Sequence, residues 1–460
     1  MSTTYNTREL SCVNFRKIIL QLKVMKMYKY TDYCSIYGRI MQFNKNKSEP
    51  VHRWYPFVEG YSKDFIKSII DELGNKDLVC LEPFSGSGTT ALELQRMGIK
   101  CFSFEVNPFM YLISRVKLYD HYTYKESKYW FDYVIEEVKK STIKSVSSVF
   151  STLYQEESNK KWNLDAEVGI AVEKLRCAIN SISATEYSDL FLVALSSILL
   201  NVSNLYRNGK CLSYKENWEN TALSQQDVIN MFSTKVTQEF LPDISLQETA
   251  RTKDTLSLSN YDFLYNCDSR EAISNHIKDN SIDLVITSPP YLNSRDYTDT
   301  YMLELKALKF TNSDDEIRAL RKRTLRSHVQ VKWDDPQTVN GALLQSTLRK
   351  LEDEQKKEPG WNKSIISMVR LYFVDIQSIF EALACKVKPG GKVYFNVSNS
   401  AYFGIEINTL EICAAIAESA GFSIVEIRKA RYLKTSPQQK TNVGKLLEGV
   451  IVMERVAENE

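Results

Sequence analysis

Apolar positions along the chain change period several times, and each change marks an element. Between Asp64 and Leu73 they recur at helical spacing, which predicts an amphipathic helix. Leu78-Val79-Cys80-Leu81 is a short continuous apolar run that stops at Glu82-Pro83, the pattern of a buried strand. The glycine-rich stretch Phe84-Ser85-Gly86-Ser87-Gly88-Thr89-Thr90 follows, then a helix to about Met97, then a strand from Lys100 to Phe104 that ends at Glu105. Strand, glycine loop, helix, strand and acid make half of a dinucleotide-type α/β fold. Helical spacing dominates the middle of the chain, notably from Tyr129 to Val149 and from Asp189 to Tyr206. Strand patterns return from Tyr261 to Tyr265, from Ile282 to Ile286, and from Lys392 to Val397 after the turn Lys388-Pro389-Gly390-Gly391. Two last strands, Ser423 to Ile427 and Gly449 to Met453, flank a polar loop from Lys434 to Lys445.

These patterns divide the chain into an N-terminal arm (1–50), three parts of one α/β core (51–120, 251–310 and 363–460), a helical insertion (121–250) and a polar, basic insertion (311–362). With 43% hydrophobic and 25% charged residues the chain has the make-up of a folded globular protein. Its net charge of +2 means that any nucleic-acid surface must come from local clustering. One such cluster is Arg318, Arg321, Lys322, Arg323, Arg326, His328 and Lys332, expected to meet phosphates; a second is the basic turn Tyr206-Arg207-Asn208-Gly209-Lys210 with Lys215. The nine cysteines include no C-x-x-C pair, and the four histidines lack ligand spacing, so neither a zinc site nor a disulfide framework is expected. Reduced thiols fit a cytoplasmic compartment. The longest apolar stretch, around 190–200, reads as too short and too interrupted by serine to span a bilayer, so no membrane partner is expected.

Two loops carry the chemistry. In the first, Gly86 and Gly88 let backbone amides approach a ligand between strand and helix, and Glu105, seventeen positions after Gly88, suits a ribose-hydroxyl acceptor. There is no G-K-[ST] ending, which disfavours a phosphate cradle and favours a nucleoside cofactor. The second is Ser288-Pro289-Pro290-Tyr291, straight after an apolar strand. Consecutive prolines keep the local carbonyls out of helix or ladder and free to receive an amino group. Ser288 adds a hydroxyl acceptor, and Tyr291 a face on which a flipped base can stack.

With these two loops the chain resembles the amino-methylating DNA methyltransferases, which join an F-x-G-x-G cofactor loop to an [S/D/N]-P-P-[Y/F] catalytic loop. The likeness covers about 52–120 and 260–455. It implies a Rossmann-like methyltransferase core, a mainly parallel sheet with an antiparallel last strand, plus the helical insertion. It also implies S-adenosylmethionine as cofactor, met by Phe57, Glu82, Phe84, Gly86, Gly88, Thr89, Glu105 and Asp268, the last at the cofactor's adenine amino group. Ser288, Pro289, Pro290 and Tyr291 match the catalytic loop. Further stretches that match are Asp296 to Leu308, Val387 to Ser400 and Gly404 to Phe422. The implied partner is double-stranded DNA, with a companion restriction endonuclease. Ser-Pro-Pro-Tyr is associated in this family mainly with N4 of cytosine. N6 of adenine, an RNA substrate and a non-catalytic DNA-binding subunit are the alternatives. The order of the loops resembles the class whose target-recognition module lies between them, here 121–250, although the second insertion after Tyr291 departs from that class.

Overall fold

Strands with apolar side chains on both sides need a sheet covered on both faces. The computed structural model describes residues 27–57, 60–208, 211–220, 223–251, 258–293, 296–357, 362–434 and 443–457. Its strands are β1 (Tyr30–Asp32), β2 (Val79–Glu82), β3 (Lys100–Phe104), β4 (Leu205–Asn208), β5 (Cys211–Tyr214), β6 (Leu264–Tyr265), β7 (Ile282–Thr287), β8 (Val387–Ser398), β9 (Ser400–Tyr402), β10 (Ile405–Ile407), β11 (Phe422–Leu433) and β12 (Leu446–Arg455). Eight form one sheet in the order β1-β11-β12-β8-β7-β2-β3-β6, and the pairs β4-β5 and β9-β10 stand apart. Neighbours in the large sheet are parallel except at β12, which runs antiparallel to both β8 and β11. This is the mainly parallel, Rossmann-like sheet with an antiparallel last strand that the two loops lead one to expect.

Alternate residues of each strand enter different cores, as the two-residue period demands. Cys80, Leu284, Ile286, Tyr394, Val450 and Val452 face one apolar cluster, whereas Leu81, Val285, Val393, Phe395, Ile451 and Met453 face the other. Helices Lys63–Leu73, Thr89–Arg96 and Pro108–Leu118 cover the first face, and their core runs on into Tyr124–Lys140, Ala166–Asn180, Thr185–Val202 and Gln225–Lys235. The helices between Tyr124 and Lys235 therefore thicken one layer of the molecule. Helices Ser269–His276, Ala342–Lys357, Ile365–Lys386 and Thr409–Ser419 cover the second face.

Several boundaries differ from the sequence reading, for local reasons. The helix expected over 129–149 is Tyr124–Lys140: the Thr123 side chain accepts from the Glu126 amide at its start, and it ends at Ser141, where a serine-rich run begins whose side chains compete for the backbone. The helix expected over 189–206 is Thr185–Val202. Lys215 Nζ donates to the carbonyls of Leu200, Asn201 and Ser203 at its end, and β4 begins at Leu205. That helix is long and apolar enough to cross a membrane, because it is the central helix of the insertion and is apolar on most sides; 56% of its span is buried inside the fold. The segment 311–362 carries more core than its composition indicates, since Leu344, Leu348 and Leu351 of Ala342–Lys357 are buried in the second cluster. Residues 1–26 of the arm and 435–442 of the polar loop lie outside the described residues.

Candidate active site

β2 and β7 are neighbours, but from β2 the chain proceeds outward to β3 and β6, while β8 lies on the far side of β7. The carboxyl ends of β2 and β7 therefore flank a topological switch point, where open α/β sheets leave a crevice. The glycine loop leaves one of these ends and Ser288 the other.

The glycine loop is bent by two left-handed residues, Gly86 at φ +53° and Gly88 at φ +80°. A Cβ on Gly88 would lie 3.1 Å from the Cα of Ser114, so the glycine is what allows the loop to sit against helix Pro108–Leu118. A Cβ on Gly86 would lie 3.0 Å from the Phe57 ring, which lines the adjoining cleft. The Gly86 amide donates to Glu105 Oε2 and the Asn107 amide to Glu105 Oε1, both at 2.8 Å, while Ser114 Oγ donates to the Gly86 carbonyl. Burial pushes the Glu105 carboxyl up to about 7, against the pull of these amide donors.

Glu82 has a different place. It is 2% exposed and accepts from Tyr61 Oη (2.7 Å), Thr90 Oγ1 (2.9 Å), Thr287 Oγ1 (2.5 Å) and the Phe84 amide (3.0 Å). Burial raises its pKa to about 7 as well. Because Thr287 immediately precedes Ser288, this carboxyl ties the end of β7 to the base of the glycine loop.

The two loops open on one cleft. Phe57, Phe84, Gly86, Thr89, Glu105 and Asp268 line it, as do Ser288, Pro289 and Pro290. Glu82, Gly88 and Tyr291 are not among the residues that line it. The Tyr291 hydroxyl is held by Glu448 and Asn396, both at 2.6 Å, and the aromatic faces in the wall beyond the catalytic-type loop belong to Tyr297 and Tyr301. Tyr301 stacks on Phe57, with ring centroids 6.2 Å apart and planes 6° from parallel. Asp268 caps helix Ser269–His276 and is paired with Arg270 at 2.5 Å.

The basic segment divides. Arg321 is bound by Asp296 and Asp299, each at 2.5 Å, and Arg326 by Asp375 (2.7 Å) and Asp335 (2.6 Å). Arg318 makes an exposed pair with Asp315 one helical turn away, while Lys322 and Lys332 are exposed. Arg323 is exposed at the rim and lines the cleft together with Thr324, Leu325, Ser327 and His328. The segment 311–362 thus supplies a wall of the cleft itself, a role that its polar composition does not reveal. His328 is buried, its Nε2 3.0 Å from Thr324 Oγ1, and burial lowers its pKa. In the other basic turn, Arg207 is bound to Glu304 (2.9 Å) and Tyr55 Oη (2.5 Å), and Lys215 caps a helix as described; Gly209 and Lys210 lie outside the described residues. Neither Arg207 nor Lys215 is available to a phosphate in this arrangement.

These pairings predict different outcomes for neighbouring cations. Arg326→Ala leaves the buried Asp375 with Arg270 as its one remaining cation, beside the backbone amide of residue 326, and should destabilise the fold by about 3 kcal/mol, as for one partner removed from a buried ion pair. Lys322→Ala should change stability by less than about 0.5 kcal/mol. Urea titration of the two variants checks this pair of values.

Tyr297, Tyr301, Thr324, His328, Asn396 and Glu448 stand at or directly behind the cleft and were not singled out from the sequence as parts of it. The two tyrosines and Asn396 lay within stretches already matched, 296–308 and 387–400. The others carry no local signature, because strand register and the second insertion bring them in.

No family model matches the chain. Among curated proteins it is similar to the Type II methyltransferase M.BsoBI of Geobacillus stearothermophilus, with 27% identity over 97% of this chain and 93% of that protein. The Type II methyltransferase M.AvaI of a Nostoc species is also 27% identical, over 85% of this chain and 83% of its own length. A solved structure from Thermus thermophilus, named as a putative DNA modification methylase, aligns at 12% identity and a TM-score of 0.21 over 42% of this chain and 53% of that one.

Proposed function

We propose that this chain is a site-specific DNA methyltransferase that uses S-adenosylmethionine to methylate the exocyclic amino nitrogen of a base, N4 of cytosine. The observation that carries the reading is the meeting of the glycine loop and Ser288-Pro289-Pro290 in one cleft at the switch point of the sheet. The names of the relatives aligned over most of its length, Type II methyltransferases, agree with it. The same names fit a restriction-modification pair with a companion endonuclease, acting in the cytoplasm.

The residues present suit the cofactor. Gly86 keeps open the space beside Phe57 that any Cβ would enter, and Glu105, fixed by two amides, still faces the cleft with acceptor capacity for ribose hydroxyls. Phe57 and Phe84 offer apolar walls, and Asp268 an acceptor for the adenine amino group. When bound, S-adenosylmethionine supplies an electrophilic methyl on a sulfonium for in-line transfer.

The protein's part is positioning and charge. An exocyclic amine is conjugated with its ring and weakly nucleophilic. Accepting its two N–H groups at Ser288 Oγ and the Pro289 carbonyl draws the nitrogen toward tetrahedral geometry and stabilises its developing positive charge. Since the amine is paired in a duplex, the base must be flipped out, at a cost of a few kcal/mol. Tyr297, in the wall, offers the stacking face for it, whereas the Tyr291 hydroxyl is tied behind the wall. Ser288 in place of an acid or amide is the feature that favours cytosine over adenine.

Phosphate contacts fall to the exposed cations. Lys322→Ala and Lys332→Ala should each flatten the salt dependence of DNA binding by close to one unit of slope. Arg321→Ala should leave that slope unchanged, its charge being matched by Asp296 and Asp299. Filter binding across a salt series distinguishes these variants.

Incubation with methyl-labelled S-adenosylmethionine and either duplex DNA or RNA tests the reading. Label in DNA alone is expected. Label in RNA alone supports the RNA enzyme, and DNA binding without label the non-catalytic subunit.

A further inference from the structure

Behind the catalytic-type loop lies a chain of polar groups drawn from four elements. Glu448, on β12, is 2% exposed. One of its oxygens is taken by Arg431 Nε of β11, and the other lies 2.6 Å from Tyr291 Oη. Tyr291 Oη is 2.6 Å from Asn396 Nδ2, on β8, and 3.3 Å from Ser288 Oγ; Asn396 Nδ2 is 3.4 Å from Ser288 Oγ and 3.4 Å from Glu448 Oε1. The antiparallel register of β12, which sets Glu448 opposite Ser398 of β8 and Arg431 of β11, delivers the carboxylate to this spot.

We propose that Glu448 fixes the direction of every hydrogen in this chain, so that the Ser288 hydroxyl meets the base amine as an acceptor. Glu448 and Asn396 are then positioning residues for the reaction, an inference that rests on the function proposed above.

The direction follows from the donor inventory. A carboxylate has no proton to give, so the single proton of Tyr291 Oη points to Glu448. Burial, with the neighbouring Glu448, raises the Tyr291 phenol well above its ordinary range, so it keeps that proton. Asn396 faces the hydroxyls of Ser288 and Tyr291 and the carboxylate of Glu448; the carboxylate can only accept, so the NH2 end is the one turned toward them, and the buried Oδ1 is left without a partner among the described residues. Tyr291 Oη consequently accepts from Asn396 Nδ2 and from Ser288 Oγ. With its own proton committed to Tyr291, Ser288 turns lone pairs to the cleft, where an amine N–H can donate. If the chain ran the other way, Ser288 would present its proton to an N–H group, donor against donor, and would oppose the positive charge that develops on nitrogen.

Glu448→Gln is the sharpest test, made on the full chain with methyl-labelled S-adenosylmethionine and duplex DNA. Glutamine retains an oxygen for Arg431 but sets an N–H against Tyr291 Oη, which turns the tyrosine proton toward Ser288. The expected result is a kcat about 100-fold below wild type, with cofactor Kd and DNA KM within about twofold. Tyr291→Phe, which removes the link and leaves Ser288 free to rotate, should cost only about tenfold. A merely structural network gives the opposite order, because losing the hydroxyl strands Glu448 and Asn396 whereas glutamine preserves the shape. Equal or larger loss in Tyr291→Phe, or wild-type kcat in Glu448→Gln, overturns the proposal. Should Glu448→Gln fail to bind cofactor, Asn396→Asp replaces the donor that faces both hydroxyls with an acceptor. A fall in kcat at unchanged cofactor Kd is expected there, and an unchanged kcat overturns the proposal equally. Absence of transfer by the wild-type chain, by contrast, counts against the function and not against this network.

Discussion

A Gly86→Asp chain is expected to lose at least about 100-fold in affinity for S-adenosylmethionine, more than about 2.7 kcal/mol, while still folding. Gly86 sits at φ +53°, and a Cβ there would come 3.0 Å from the Phe57 ring, pushing that ring from its place in the cleft wall. The new carboxylate would also stand beside Glu105, whose Oε2 accepts the Gly86 amide, and would add negative charge next to the group assigned to the ribose. Aspartate tolerates the left-handed region better than most residues, so the backbone cost should be about 1 kcal/mol. Calorimetric titration reads the affinity, and thermal unfolding of the same sample shows that the chain is folded. Wild-type affinity in this variant would remove the glycine loop from the cofactor site.

The second large effect separates chemistry from cofactor binding. Ser288→Ala should slow methyl transfer by about 10² to 10³-fold, the usual cost of one group aimed at developing charge, and leave cofactor affinity unchanged. Ser288 lines the cleft at the carboxyl end of β7, whereas Glu105 and Gly86, the residues proposed for the cofactor, are held through β3 and the loop after β2. The Pro289 carbonyl survives the substitution, so a residual rate is expected. Single-turnover transfer of labelled methyl, with cofactor prebound, measures the step directly. A full rate would mean that Ser288 does not receive the amine.

The strand cores were legible in the sequence because their apolar runs are short and sharply bounded. Val79–Glu82, Lys100–Phe104 and Ile282–Thr287 all fall where the pattern puts them, and with them the two loops at their ends. What escaped has a common cause, which is that long-range partners decide it. β11 runs for 12 residues because β12 pairs along its whole length, a register that five apolar-rich residues do not announce. Arg321, Arg326 and Arg207 look like free cations in a list of residues, but Asp296, Asp375 and Glu304, distant or simply unconnected by spacing, neutralise them. Tyr291 reads as a stacking face beside the prolines, yet its hydroxyl finds Glu448 157 positions away. Local pattern therefore located the cleft and named part of its lining, while tertiary pairing determined which of the named residues face the cleft.

The central claim, amino-methylation of a DNA base, is most directly tested by the identity of the product. Duplex DNA incubated with the wild-type chain and methyl-labelled S-adenosylmethionine should be digested to nucleosides and analysed by mass spectrometry. The account predicts that the label appears in N4-methylcytosine. N6-methyladenine alone would keep the enzyme class and overturn the target atom, and DNA that carries no labelled base while the chain binds cofactor and DNA would contradict the claim itself.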